Sequence, residues 1–539
     1  MKDRGQQRTE VGAFTVAIVA IALFAPALHL GFAYDDVPII LGDDRIRSLA
    51  NLPSIFTGGY WRNAELALYR PLTTLSFAID WSLARDSAPW FHFTNVLLNA
   101  AAGVLAYLLA ARLFGAGPAL AGGLLFIAHP AHVEAVTNIV GRAELLSAIF
   151  FLSACLVWTL DTRERRGGLL PSALFALALL AKESAIMLPA ALILVDAAAG
   201  RLKRGDIRAY VASNARALAS LALVAVVFLA ARFAVLGGIA PSRVDPILEI
   251  AATPGQRILT ALQAWPVWLR LLIAPVTLLS DYGPAIIEPA QGLTPAAAAG
   301  AMLLIGLVGA GLFALFRGRG TAALLLLWFP LTILPVSNLI VPIGVVVAER
   351  TLYLPSLVVA FALARLSRSR LFAPVETTRL GAALLAAVLV LFAIRVLTRT
   401  PDWNSTDTIM QALVRDRPDS FRGHWHLARM AKARGDAGAA SAQYDTAMAI
   451  WPRRRTLVVE AIAFASERRD LRRGLALATL AVRLWPEDVD TQRMLAGFAL
   501  DAGDWNTADR AIHDGLRVDP ADETLLRMEA ALDSMRAVR

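Results

Sequence analysis

Residues Val11 to Leu30, VGAFTVAIVAIALFAPALHL, form a 20-residue run whose one titratable side chain is His29. At about 1.5 Å per residue, a helix of that length matches the roughly 30 Å hydrocarbon core of a bilayer. A short basic start with Lys2, Arg4 and Arg8 precedes it, and Tyr34, Asp35 and Asp36 follow it closely. The length of the run favours an uncleaved anchor over a signal peptide. Similar runs recur through the first 400 positions and stop after Thr400. Each must be helical, because bare backbone polar groups cannot face hydrocarbon. The composition agrees: 57% of the 539 residues are hydrophobic and 18% charged, against the roughly 45–50% apolar share of soluble domains. The expected class is therefore all-α and polytopic.

Working outward with the N-terminus in the cytoplasm, about eleven spans place the short basic clusters on one side. These clusters are Arg112; Arg163, Arg165 and Arg166; Arg201, Lys203, Arg204 and Arg208; Arg317 and Arg319; and Arg365, Arg368 and Arg370. The run Ile258 to Leu279 is interrupted by Pro266, Arg270 and Pro275. Counting it as a crossing would put Arg317 and Arg319 outside, so it reads as interfacial or re-entrant. The net charge of +9 is thus a matter of topology, and no nucleic-acid partner is expected. Cys155 is the single cysteine, which excludes disulfides and thiolate metal sites within the chain.

After residue 400 the pattern changes. Pro418, Pro452, Pro486 and Pro520 recur every 34 residues, as do Asp436, Asp470 and Asp504, while Ala440, Gly474 and Ala508 hold the same phase. Thirty-four is the tetratricopeptide period, in which helix hairpins bury their apolar faces only against their neighbours. About three repeats plus a capping helix are expected over residues 401–539, after a membrane domain over 1–400. The groove of such an α-solenoid suits an extended peptide or a protein partner; a structural spacer or oligomerisation module is the plainer alternative.

Charged groups at the ends of apolar spans are costly and therefore candidates for function. Asp35 and Asp36 offer a general base, a cation site or simple helix-end solvation. His129, His132 and Glu134 precede Asn138, Arg142 and Glu144, and a surface helix over 131–144 would place Glu134, Asn138 and Arg142 on one face. His with Glu permits zinc or manganese, but there is no pair of histidines at i, i+4, so a divalent metal is not favoured and no metal ligands are assigned. Lys182 beside Glu183 suggests an anion site with its counter-charge. Asp281 with Tyr282, and Glu349 and Arg350 with Tyr353, complete the set, Arg350 being suited to grip a phosphate.

These stretches closely resemble the transmembrane and tetratricopeptide-repeat-containing O-mannosyltransferases, members of the GT-C superfamily. The matching blocks are YDD at 34, YRPLT at 69, FHFTNVLLNA at 91, HPAHVEAV at 129 with GRAEL at 141, LLAKES at 179, LSDY at 279 and LPVSNLIVPIGVVVAERTLYLPS at 334–356, in family order. The resemblance implies inverting transfer of a hexose, typically mannose, from a polyprenyl- or dolichyl-phosphate donor to Ser or Thr hydroxyls outside the cytoplasm. It needs no cofactor beyond the lipid-linked sugar, and it would make the partner of the repeats an acceptor polypeptide. An Asp of the first outer loop would be the base, Asp35 being favoured over Asp36 although the sequence does not separate them. Arg350, Lys182, Arg142 and Arg70 would stabilise the phosphate, with Glu134, Glu144, Glu183 and Asp281 orienting them or holding sugar hydroxyls. An alanine-rich, bacterial-looking chain of this kind would sit in an inner membrane with its repeats in the periplasm. The competing readings are a lipid-linked sugar flippase and a non-catalytic membrane scaffold.

Overall fold

The computed structural model describes residues 2–62, 68–160, 168–202, 207–238, 248, 253–284, 286–366 and 379–537. Among them every regular element is a helix. The chain divides into two compact units, Met1–Ala412 and Leu413–Arg539.

In the first unit, six helices among the described residues are long and apolar enough to cross a membrane: Gly5–His29, Ala88–Phe114, Ile139–Thr159, Ala215–Leu236, Pro295–Phe316 and Gly381–Asn404. A seventh is reached if Ala116–Ile127 and Pro130–Thr137, bent by 52°, count as one span. This is fewer than the eleven expected. The difference lies in helices such as Leu169–Ala181 (13 residues), Leu188–Ala198 (11) and Leu357–Leu366 (10), each too short at 1.5 Å per residue to traverse the hydrocarbon alone. Ile139–Thr159 is central, with 72% of its most apolar window buried, whereas Gly381–Asn404 has 6% and turns its apolar side chains outward.

The run expected to be interfacial is the helix Pro254–Ile273, capped by Thr253 and Gln256 and containing Pro266. It is not among the helices apolar enough to cross. It packs against Pro295–Phe316, where a Cβ on Gly300 would lie 1.9 Å from the Leu262 carbonyl oxygen. The expected surface helix over 131–144 is not formed. Val133–Thr137 is a single helical turn, Asn138 is extended (ψ 115°), and Ile139–Gly141 is a 3-10 turn before Arg142–Thr159 begins. Gly141 permits the turn, since a Cβ there would meet the Ala135 carbonyl oxygen at 2.4 Å. The whole stretch is buried, so Glu134 and Arg142 leave it in different surroundings.

In the second unit, helices begin at Phe421, Arg455, Val489 and Glu523 and at Ala437, Leu471 and Trp505, each series at the expected 34-residue step. Asp436, Asp470 and Asp504 cap the second helix of each pair, accepting the N–H of Ala439, Arg473 and Thr507 at 2.9, 3.1 and 3.1 Å. Such a cap satisfies one of the orphan donors of a helix start. One apolar core runs through all the pairs, from Phe421 to Leu532. This unit is a tetratricopeptide-type α-solenoid.

Candidate active site

The first span ends in the 3-10 turn Ala25–His29, and the chain that follows is held by distant backbone. Gly31 donates its N–H to the Asn404 carbonyl at 3.2 Å, and its own carbonyl accepts from His92 Nε2 at 3.1 Å. Tyr34 adopts φ +53°, a conformation side-chain-bearing residues rarely take, and its N–H is received by Thr406 Oγ1 at 2.9 Å. Two carboxylates follow with different surroundings. Asp36 is fully buried, and its oxygens accept the N–H groups of Ala33 (3.1 Å) and Val140 (2.9 Å). Asp35 keeps 21% of its side chain exposed, with Oδ2 3.7 Å from Arg350 Nη2. Asp36 thus ties the loop to the 3-10 turn at Ile139–Gly141, and Asp35 presents the accessible carboxylate.

Arg350 opens the turn Glu349–Leu352. Its backbone N–H donates to Glu134 Oε2 at 2.9 Å, and its guanidinium pairs with the same carboxylate. Lys182, at the end of Leu169–Ala181, pairs with Glu144 near the start of Arg142–Thr159. Arg70, just before Pro71–Ala84, binds Glu183 in a fork at 2.9 and 2.7 Å. Thr73 Oγ1, donating to the Ala181 carbonyl at 2.9 Å, fixes these two elements together. The three cations form one field: Arg350 feels Glu134, Asp35 and Glu144, while Lys182 feels Glu144, Arg70 and Glu183. Burial alone would raise the Glu183 carboxyl, but the Arg70 charge and hydrogen bonds outweigh it and hold it at about 2. Burial lowers Arg350 and Arg70, yet their carboxylate partners leave both above the ordinary arginine value.

Glu349, adjoining Arg350, has partners outside this set. It accepts from the Leu279 N–H and from the Tyr282 hydroxyl, the latter at 2.7 Å; Asp281 lies half-buried beside them. Burial pushes both Glu349 and Asp36 up to about 7. Each therefore binds its proton more tightly folded than unfolded, so stability is complete below about pH 4 and is lost as pH rises through about 7. The thermal midpoint of the detergent-solubilised protein is expected to fall between pH 5 and pH 8. The Asp36→Asn, Glu349→Gln double variant should flatten that slope, and an unchanged slope would contradict these protonation states.

Other residues singled out from sequence serve the protein interior. Arg142 is fully buried between the rings of Phe77 and Phe91, paired with Asp80 at 2.6 Å and donating to Asn95 Oδ1 at 2.8 Å and the Phe91 carbonyl at 2.9 Å. His129 Nε2 bonds the Leu272 carbonyl at 3.0 Å, and His132 Nε2 bonds Ser356 Oγ at 2.8 Å. Tyr353 stacks on His132 and donates to Asn99 Oδ1 at 2.8 Å. His129, His132 and Glu134 therefore turn to different protein partners rather than converging on a point. Sequence reasoning missed Asp80, Asn95 and Asn99, whose signal was polarity inside apolar helices. It also missed Thr406, which carries no such signal.

No protein-family profile matches the chain. It is 29% identical over 436 residues to the mouse (Mus musculus) protein O-mannosyl-transferase TMTC3, covering 74% of this chain and 46% of that protein. It is 27% identical over 490 residues to human (Homo sapiens) TMTC4, covering 80% and 65% respectively. A shorter block of 176 residues is 34% identical to Drosophila melanogaster Tmtc1, covering 31% of this chain and 20% of that one. The chain spans about half the length of the first of these curated relatives. Among solved structures, the APC/C hetero-tetramer Cut9-Hcn1 is 12% identical with a TM-score of 0.22, covering 87% of this chain and all of that one, a score too low to argue from. The motif blocks and the similarity over three quarters of the chain agree, and this membrane protein is a homologue of the TMTC protein O-mannosyl-transferases.

Proposed function

We propose that the chain is a membrane glycosyltransferase that moves a hexose, mannose by its relatives, from a polyprenyl-phosphate donor to a Ser or Thr hydroxyl with inversion at the anomeric carbon. The observation that carries this reading is the partly exposed Asp35 carboxylate held 3.7 Å from Arg350 on a strained turn, with Lys182 and Arg70 as further cations suited to a phosphate. The acceptor oxygen attacks the anomeric carbon and yields its proton to Asp35. The bond from that carbon to the phosphate oxygen breaks, and the lipid phosphate leaves with the electron pair. Arg350, Arg70 and Lys182 offset the charge that develops on it. The repeat unit would hold the acceptor polypeptide.

The helix ends support an orientation. Arg112, Arg201, Arg317, Arg319 and Arg365 lie at or beyond the ends of helices opposite to those that carry Asp35, Glu144, Lys182 and Arg350. By the positive-inside rule this supports an extracytoplasmic site, in a bacterial chain a periplasmic one. The test is purified protein in lipid nanodiscs given radiolabelled polyprenyl-phosphate mannose and a Ser/Thr-rich peptide. Label is expected in the peptide with wild type; no transfer of any lipid-phosphate-linked hexose would sink the reading.

A further inference from the structure

Tyr60 lies in the segment between the helices Leu52–Thr57 and Pro71–Ala84. Its ring packs with Ile39, Ile40, Ile46, Ile55 and Phe77, and only 3% of the residue is exposed. Its backbone is well fixed, the N–H donating to the Leu68 carbonyl at 2.7 Å. Its hydroxyl, by contrast, has no hydrogen-bond partner among the described residues. Tyr69 donates to the Phe56 carbonyl at 2.9 Å, Tyr282 to Glu349 and Tyr353 to Asn99; the buried Tyr107 hydroxyl shares the lack of a partner among the described residues, but it lies inside the span Ala88–Phe114 against Gly12 of the first span. A buried hydroxyl without a partner is costly and calls for a reason.

The reason lies in what surrounds it. The Arg70 guanidinium sits over the Tyr60 ring, 5.2 Å from its centre. The charges acting on the phenol are those of Arg70, Asp35, Asp36 and Arg350, so it lies within the field of the catalytic candidates and in contact with Arg70, although its ring belongs to the core. Burial holds the phenol above its ordinary value, with Arg70 opposing and Asp35 and Asp36 adding to the effect. At working pH it is therefore a protonated donor in need of an acceptor. The acceptor that two neighbouring arginines would also attract is an anionic oxygen.

We infer that Tyr60 is a substrate-contacting residue whose hydroxyl donates a hydrogen bond to a non-bridging phosphate oxygen of the lipid-linked donor, beside Arg70. This rests on the glycosyltransferase reading above and extends it to a residue outside the charged motifs.

Tyr60→Phe removes the one oxygen and keeps the ring. Because that oxygen has no partner among the described residues, the thermal midpoint of the full-length variant is expected to equal or exceed that of wild type. Binding of sugar-free polyprenyl monophosphate, measured in nanodiscs by native mass spectrometry, is expected to weaken about 10-fold or more, as for loss of a hydrogen bond to a charged group. Binding of the uncharged polyprenol should be unchanged, which separates head from tail. In the transfer assay the variant should raise KM for the donor more than it lowers kcat. A Tyr60→Phe protein that binds polyprenyl monophosphate as tightly as wild type, or that loses thermal stability, overturns the inference while leaving the glycosyltransferase reading in place. A wild-type protein that neither binds this lipid nor transfers sugar overturns both.

Discussion

Asp35→Asn is expected to fold as wild type and to lose sugar transfer by about 10²–10⁴-fold in kcat, the contribution of a positioned general base. Its side chain is partly exposed and meets Arg350 at 3.7 Å, a separation at which Coulomb stabilisation is modest near a surface, so the fold depends little on its charge. Asp36→Asn is expected to behave in the opposite way. An amide replaces one of the two oxygens that accept from Ala33 and Val140, so its NH2 faces a backbone N–H or one donor goes unmet, at about 1–3 kcal/mol. The thermal midpoint should drop, and the surviving folded fraction should keep measurable transfer. Thermal unfolding and single-turnover kinetics on both variants decide the matter. Full transfer in Asp35→Asn would remove it as the base, and an inactive but fully stable Asp36→Asn would exchange the two roles.

Arg142→Met is expected to be the most damaging single substitution to folding. It leaves Asp80, 4% exposed, as a buried carboxylate whose guanidinium partner at 2.6 Å is gone, and breaking such a pair costs about 3–5 kcal/mol. It also frees Asn95 Oδ1 and the Phe91 carbonyl. The fraction of monodisperse protein after solubilisation should collapse. The Asp80→Leu, Arg142→Met double variant should recover much of it, because an apolar pair of similar volume leaves no uncompensated charge. Were Arg142 a phosphate-binding cation, as its motif suggests, the single variant would instead fold normally and lose only donor affinity.

Arg142 also illustrates what sequence can reveal. The repeats were legible because each hairpin repeats the same caps and small residues at a fixed step, so position alone encodes geometry. The membrane body was legible because hydrocarbon thickness imposes a length. Of the candidate site, the residue types were legible: Asp35, Arg70, Glu134, Glu144, Lys182, Glu183 and Arg350 all enter ion pairs with one another. Their pairing was not, since Arg70 with Glu183 and Glu134 with Arg350 join residues 113 and 216 positions apart. The i, i+4 argument for Glu134, Asn138 and Arg142 failed because it assumed a continuous helix. The extended Asn138 and the turn admitted by Gly141 rotate Arg142 away from Glu134. Nor does spacing separate two adjacent aspartates; only the backbone donors that claim Asp36 do so.

The hydrogen bonds from Gly31 to Asn404 and from Tyr34 to Thr406 have a bearing on biosynthesis. They tie the Asp35 turn to residues made 373 and 372 positions later. A ribosome delivers the proposed base first and its anchor last. While the intervening helices are being inserted, the nascent chain carries the carboxylate without the contacts that hold Tyr34 in its left-handed conformation. Catalytic competence would thus arrive late, after the final apolar helix has entered the bilayer, and a half-made chain would be protected from acting on donor lipid before the segment leading to its repeats exists.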